Sequence, residues 1–222
     1  MKNILITGAN SGVGLAATKF FASKGHNLIC ISKNDSNLSK INSDNFEYFK
    51  VDISNLTTLK NVFSKINKID ILINCAAIFE SKPFIDQSFE MIGKIIDINL
   101  KGTLFVSRLC LEKMSKGRII NISSVSGLHG IENQVVYSST KHALNGFEES
   151  LNKELISKGI QVTNVNPGGI KTSLWNKKNP YNGDIDRLLK PSDIVNILNF
   201  IVESESRMVI KNISVFPDNE IH

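Results

Sequence analysis

Cysteine is scarce here and wrongly spaced for a disulfide framework or a thiolate metal site. The three present, Cys30, Cys75 and Cys110, lie in apolar contexts, and no two stand at metal-ligand spacing. They read as buried, reduced thiols that pack as small hydrophobes. No apolar run approaches the roughly 20 residues that cross a bilayer. Met1-Lys-Asn, ahead of the first apolar run, is too short for a secretory leader. The expectation is a cytoplasmic protein with no membrane partner, in which the Asn-x-Ser/Thr triplets at Asn55, Asn121 and Asn212 carry no glycan. Basic residues exceed acidic ones, 26 to 21, for a net charge of +5. The lysines are nevertheless scattered, and no basic run is interleaved with aromatics. Nucleic acid is therefore not an expected partner, whereas a small anionic ligand suits the charge. Repeats and low-complexity linkers are also missing, so 222 residues are expected to form one domain, residues 1–222.

What is present is alternation. Short runs rich in β-branched residues, Ile4–Ile6, Leu28–Ile31, Tyr48–Val51, Ile71–Ile73, Ile119–Ile122, Val162–Val165 and Ile213–Phe216, are bounded by Asn, Asp, Gly or Ser. They read as strands buried on both faces of a parallel sheet. Between them apolar residues recur at helical spacing: Val13, Ala16, Ala17, Phe20 and Phe21 in one segment, Tyr137, Leu144, Phe147, Leu151 and Leu155 in another. Pro191 opens a further helix, with Ile194, Leu198 and Ile201 inward. Strand–helix alternation predicts an α/β fold, a doubly wound Rossmann-type parallel sheet of about seven strands with helices on both faces. The stretch 89–114 is apolar on several sides, and such a helix needs a partner beyond its own sheet. That partner is either a neighbouring helix of the same chain or, the favoured reading, a second subunit, giving a homodimer or homotetramer.

Thr7-Gly-Ala-Asn-Ser-Gly-Val-Gly14 links the first strand to the first helix. Glycine lets a backbone turn tightly and approach an anion. The helix that follows aims free N–H groups and its positive dipole end at that anion. Gly8, Gly12 and Gly14, with Asn10, Ser11 and Val13 between them, are thus expected to seat a dinucleotide pyrophosphate. The spacing G-x-x-x-G-x-G departs from the commoner G-x-G-x-x-G. The second strand, Asn27–Ser32, ends without the acidic residue that usually binds the ribose 2′-hydroxyl. Ser32 and Lys33 at its tip would accept a 2′-phosphate, which favours NADP; Asp35 nearby keeps NAD open.

Tyr137 and Lys141 stand four apart, on one face of a helix. A free phenol ionises near 10, and a neighbouring ammonium is expected to lower that value. Such a tyrosine exchanges a proton with a carbonyl or alcohol oxygen. Ser124, after the strand Arg118–Ser123, is placed to hold the substrate oxygen; Ser123 is its structural neighbour. His129 and His142 are read as non-catalytic, Glu148 and Glu149 as a solvated face. For Trp175 the pocket wall and a loop cover are equally good readings.

Taken together, T7-G-A-N-S-G-V-G14, Asn74-Cys-Ala-Ala77, Asn99, I122-S-S-V-S-G127, Tyr137-S-S-T-Lys141 and N166-P-G-G-I-K-T172 resemble the short-chain dehydrogenase/reductase family over essentially the whole chain. The resemblance implies a catalytic set of Asn99, Ser124, Tyr137 and Lys141. Tyr137 is then general acid/base, Lys141 a ligand of the nicotinamide ribose, Ser124 the anchor of the substrate oxygen and Asn99 the holder of a relay water. It also implies cofactor contacts at Asp52 and Ile53, at Asn74 and Ala76, and at Pro167, Gly168, Ile170 and Thr172. Ala77 stands where the family commonly has glycine. The segment 172–190 is short for a substrate lid, implying an open pocket or a small substrate.

The activity expected is hydride transfer between NADP, or NAD, and a small ketone, aldehyde or secondary alcohol. A 3-oxoacyl or keto-sugar reductase and a catalytically silent nucleotide-binding regulator are the alternatives. Epimerisation or dehydration of a nucleotide sugar is disfavoured, because little chain follows Thr172. No metal site is expected.

Overall fold

The computed structural model describes residues 1–41 and 45–220. Strands β1 (Asn3–Thr7), β2 (Asn27–Ser32), β3 (Phe46–Lys50), β4 (Ile71–Asn74), β5 (Gly117–Ile122), β6 (Ile160–Pro167) and β7 (Asn212–Val215) form one sheet. Its order is β3-β2-β1-β4-β5-β6-β7, and every neighbouring pair is parallel. The chain winds outward from β1 in one direction and from β4 in the other. The β1/β4 boundary is thus the switch point at which a ligand crevice opens beyond the strand ends.

Alternation along the central strands divides the core in two. Ile4 and Ile6 face helices α1 (Gly12–Ser23) and α6 (Pro191–Glu203), with Phe21, Leu198 and Ile201 packed on them. Leu5 points to the opposite face with Leu72, Ile119 and Val162. There it meets α2 (Leu56–Phe63), α4 (Thr103–Leu111) and the end of α5 (Val135–Leu155). Each such side chain, fully buried, contributes about 1.5–3 kcal/mol. Pro191 sits at the first position of α6, and the Asp193 carboxylate accepts the Lys190 N–H at 2.7 Å, satisfying a donor the helix leaves free.

Burial on both faces holds for the central strands but not for the edges. Glu47, Tyr48 and Lys50 on β3, and Asn212 and Ser214 on β7, are exposed. Each edge strand has one neighbour, so no helix closes over its outer side. The segment 89–114 is also not a single regular helix. Helix α3 (Phe89–Ile96) passes through a widened π-helical turn (Asp97–Gly102) into α4. Ile95, Val106 and Leu109 are buried, while Phe89 is 94% exposed; the several apolar sides expected there are partly uncovered.

Polar residues inside the sheet tie it to α5. Asn74, Asn121 and Asn164 occupy matched positions on β4, β5 and β6. The Asn74 amide donates to Asn121 at 2.9 Å, and Asn121 donates to Asn164 at 2.9 Å. Asn164 in turn donates to Asn145 on α5 at 2.8 Å, and Asn145 to the Gly127 carbonyl at 2.6 Å. Asn152 brackets Val162, accepting its N–H at 2.7 Å and donating to its carbonyl at 2.6 Å. Glu148 is not solvated as expected: it is 2% exposed and accepts from Asn152 and Asn212. Burial raises its carboxyl above the ordinary value, partly offset by those two donors.

Candidate active site

A cavity of about 710 Å³ runs along the carboxyl ends of the strands, within the range of cofactor and substrate sites. Its floor at one end is the turn between β1 and α1. Gly8 has φ +64, and a Cβ there would come within 2.8 Å of the Ala76 backbone, so only glycine fits. Thr7 fixes the adjacent strand end by accepting the Cys75 and Ala76 N–H groups at 3.1 and 3.2 Å. Ser11 is the residue before α1, and its side chain makes no capping bond to the helix, leaving the first-turn N–H groups open to an anion.

Gly8, Ser11, Gly12, Val13 and Gly14 all line this cavity. Ser32, Lys33, Asp52 and Ile53 line the same end, after β2 and β3, and Ala76 the floor. Pro167, the last residue of β6, and Gly168, Ile170 and Thr172 after it are on the wall, as are Ser124, Tyr137 and Lys141. Three expected residues are not on the wall. Asn10 turns away and accepts the Asn37 and Leu38 N–H groups at 2.8 and 3.3 Å, bracing the loop after β2. Asn74 is taken up by Ser107 and the asparagine row. Asn99, 1% exposed in the π-helical turn, brackets Ile78, accepting its N–H at 2.8 Å and donating to its carbonyl at 2.9 Å. Its side chain thereby fixes the loop that carries Phe79.

At this end of the cavity Lys33 is not a free ammonium. Its Nζ lies 3.2 Å from the Asp52 carboxylate. Burial alone would raise the Asp52 carboxyl, but two bonds from Ser54 and the Lys33 charge outweigh it and hold it below its ordinary value. Asp35 pairs instead with Lys50 at 3.5 Å and is not on the wall, whereas Asn34 is.

At the other end, Lys141 is 2% exposed, donates to the Ile122 carbonyl at 2.8 Å and lies 5.5 Å from the Tyr137 ring centroid. The pair converges as the spacing requires, yet the phenol is not acidified. Burial pushes Tyr137 up to about 12, the Ser124 hydroxyl offsetting part of the rise. Burial also pushes Lys141 down to about 8. Both shifts have one cause: a low-dielectric pocket disfavours phenolate and ammonium alike. Near neutral pH Tyr137 is a protonated phenol, and Lys141 is mostly an ammonium. Ser124 bonds Ser126 at 3.2 Å, and Ser126 donates to Gln134 at 2.9 Å, so the serine hydroxyl is held in place.

Segment 172–190 is tied to the cavity wall. Asn179 donates to the Phe79 carbonyl at 3.1 Å and accepts the Ser81 N–H at 2.9 Å, bridging segment 172–190 to the loop after β4. Above Tyr137 an edge-to-face aromatic chain runs through Phe79, at 5.0 Å, to Trp175, at 5.3 Å, and Tyr181, at 5.0 Å. Trp175 is thus a wall residue. Phe79, Asn179, Tyr181 and Glu220 were not anticipated; the aromatics alone, flanking strand ends and lid, could have pointed to them. Cys75 is half-buried on the wall, unlike buried Cys30 and Cys110. Burial pushes the Cys75 and Cys30 thiols up to about 12. His129 and His142 are exposed and off the wall. Among the described residues no cluster of His, Cys, Asp or Glu is arranged to hold a metal, and no helix is long and apolar enough to cross a membrane.

The family model for short chain dehydrogenase matches residues 2–183. An uncharacterized oxidoreductase of Staphylococcus epidermidis is 34% identical over 183 residues, covering 78% of this chain and 80% of the relative. The 3-oxoacyl-[acyl-carrier-protein] reductase of Rickettsia conorii is 35% identical over 184 residues, covering 80% and 76%. Among solved structures, 4-hydroxyisoleucine dehydrogenase complexed with NADH superposes with a TM-score of 0.87 at 30% identity, covering 98% of each chain. The closed form of serine dehydrogenase complexed with NADP+ superposes with a TM-score of 0.91 at 25% identity, covering 99% and 96%.

Proposed function

The chain belongs to the short-chain dehydrogenase family and is an NAD(P)-dependent oxidoreductase, and from that premise we propose that it interconverts a small ketone or aldehyde and the corresponding alcohol, with NADPH preferred over NADH. The observation that carries this reading is the convergence of Tyr137, Lys141 and Ser124 on one end of a cavity whose other end is the glycine turn. The residues fit a dinucleotide: open helix N–H groups at Gly12 and Val13 for the pyrophosphate, Ser32 and Lys33 toward the adenosine ribose, Ile170 and Thr172 toward the nicotinamide.

When bound, the nicotinamide supplies or accepts the hydride. In reduction the Ser124 hydroxyl donates a hydrogen bond to the carbonyl oxygen, and Tyr137 gives that oxygen its phenolic proton. A protonated phenol, which burial favours, is the form this direction needs. The Lys141 ammonium stabilises the phenolate left behind and offers a proton for its return. Asn99 acts at one remove, holding Ile78 and so the Phe79 ring against Tyr137. The lid and the aromatic chain exclude water.

The preference for NADPH rests on the lack of an acid at the β2 tip and on Asp35 being engaged by Lys50. The Lys33–Asp52 pair tempers it. Reduction of a 3-oxoacyl thioester is the second reading, favoured by the likeness to the Rickettsia enzyme. Association into homo-oligomers is supported by the uncovered apolar side of α3, including Phe89 and Ile96.

Tyr137→Phe tests the proposal. Turnover on an accepted carbonyl compound should fall by roughly a thousandfold, while NADPH affinity, read by titration, stays within a few-fold of the parent. Full retained rate sinks the assignment. Nucleotide binding with no turnover by the parent protein across a broad carbonyl panel would favour a silent regulator instead.

A further inference from the structure

Five charged side chains line the cavity: Lys33, Asp52, Glu132, Lys141 and Glu220. Lys33 and Asp52 are paired at the nucleotide end, 3.2 Å apart. Lys141 is committed inward, to the Ile122 carbonyl at 2.8 Å. The lid end is left with two carboxylates and, among the described residues on the wall, neither a free lysine nor an arginine.

Glu220 is held there by a seat assembled from three segments. Its Oε2 accepts the Gly169 N–H at 2.7 Å, and its Oε1 accepts the Tyr181 hydroxyl at 2.6 Å. Gly168 and Gly169 leave the space it fills: a Cβ on either would stand 2.7 Å from a carboxylate oxygen. Pro217 is buried and its carbonyl accepts the Glu220 N–H at 3.1 Å, which turns the chain back toward the pocket. Neighbouring lid charges are occupied elsewhere, Lys171 with Asp186 and Arg187 with Asp218. Neither neutralises Glu220.

We propose that Glu220 is a specificity residue that makes the lid end a cation-accepting subsite, selecting carbonyl compounds or alcohols that carry an amino group and turning away those that carry a carboxylate. The inference rests on the reading of this cavity as a carbonyl or alcohol site. A carboxylate oxygen that already accepts one hydrogen bond has a second lone pair free for an ammonium N–H. The Phe79–Trp175–Tyr181 walls lower the local dielectric and strengthen both the attraction and the repulsion.

The test uses three four-carbon secondary alcohols that differ at the far end: ammonium, hydroxyl or carboxylate. Oxidation is followed by NADPH appearance. Binding is followed separately by the fluorescence of Trp175, the single tryptophan. Parent kcat/KM should fall in the order ammonium, hydroxyl, carboxylate. In Glu220→Gln the ammonium-to-hydroxyl ratio should drop by on the order of tenfold. Tyr181→Phe, which loosens the seat but keeps the charge, should retain the order.

An unchanged ratio in Glu220→Gln, or a parent that prefers the carboxylate, overturns the proposal. So does an equal loss of order in Tyr181→Phe, which would make Glu220 a strap and not a charge selector. If no alcohol is oxidised, Trp175 binding decides: a charge-ordered affinity abolished by Glu220→Gln upholds the subsite while sinking the reductase reading. Turnover without charge order sinks the subsite alone.

Discussion

The two ends of the cavity are built from different material. The end proposed to hold the nucleotide is mostly backbone: Gly8, Gly12 and Gly14 in one turn, the first N–H groups of α1, and the strand ends after β2 and β3, with the paired Lys33 and Asp52 side chains beside them. The lid end is side chain: Phe79, Trp175, Tyr181 and Glu220, drawn from the loop after β4, the lid and the tail after β7. A backbone cradle suits a ligand feature that does not vary, such as a pyrophosphate. A side-chain cradle can be rebuilt without disturbing the sheet, so this is where the relatives' different substrates must be distinguished. Tyr137, Lys141 and Ser124, the residues proposed to be catalytic, lie at the seam, on α5 and after β5, held by the asparagine row that crosses β4, β5 and β6.

The comparison can be broken at the seam or at either end. The largest effect belongs to Tyr137→Phe, a loss of turnover with little loss of nucleotide. Next is Gly8→Ala at the backbone end. With φ +64 and the Ala76 backbone 2.8 Å from any Cβ, it should destabilise by roughly 3 kcal/mol and weaken NADPH binding. A thermal melt and a nucleotide titration check it. A variant that melts and binds as the parent does would show that this turn tolerates a side chain.

The pH profile comes third. Lys141 is pushed down to about 8 because burial penalises the ammonium; its charged form therefore prevails below that value and is lost above it. The reduction rate should be flat up to about 8 and then fall by roughly tenfold per pH unit. A rate that climbs through this range removes Lys141 from the proton path. Smallest is Lys33→Glu, which should lower the ratio of kcat/KM for NADPH over NADH by about tenfold and leave the Glu220-dependent charge order intact. A changed charge order would mean that the two ends are coupled, against the division drawn here.

Much of this was legible beforehand, for definite reasons. Strand–helix alternation gave the sheet and its placement of α1, α5 and α6, because burial on a two-residue or 3.6-residue period leaves a direct trace. Tyr137, Lys141 and Ser124 were readable because helical spacing and a strand end fix their directions. Asn10, Asn74 and Asn99 have side chains engaged by the protein itself, for a shared reason. An asparagine near a ligand loop can face the ligand or bond the loop's own backbone, and these three bond protein groups. Glu148 was misread because its charge suggested solvent, whereas Asn152 and Asn212 satisfy it inside. The Tyr137 shift was misjudged in sign. A neighbouring ammonium was counted, but the burial that both groups share was not.

Sequence alone determined the parallel sheet, the glycine turn and the tyrosine–lysine pair, since each depends on residues close together in the chain, where periodicity and spacing dictate geometry. Tertiary structure alone decided which asparagines turn inward, how far burial moves the Tyr137 proton, and that Glu220 meets Gly169 and Tyr181. Those outcomes depend on contacts between segments far apart in the chain, Phe79 on Tyr137 and Glu220 on Gly169 among them, and on a local dielectric that exists only once the walls have closed.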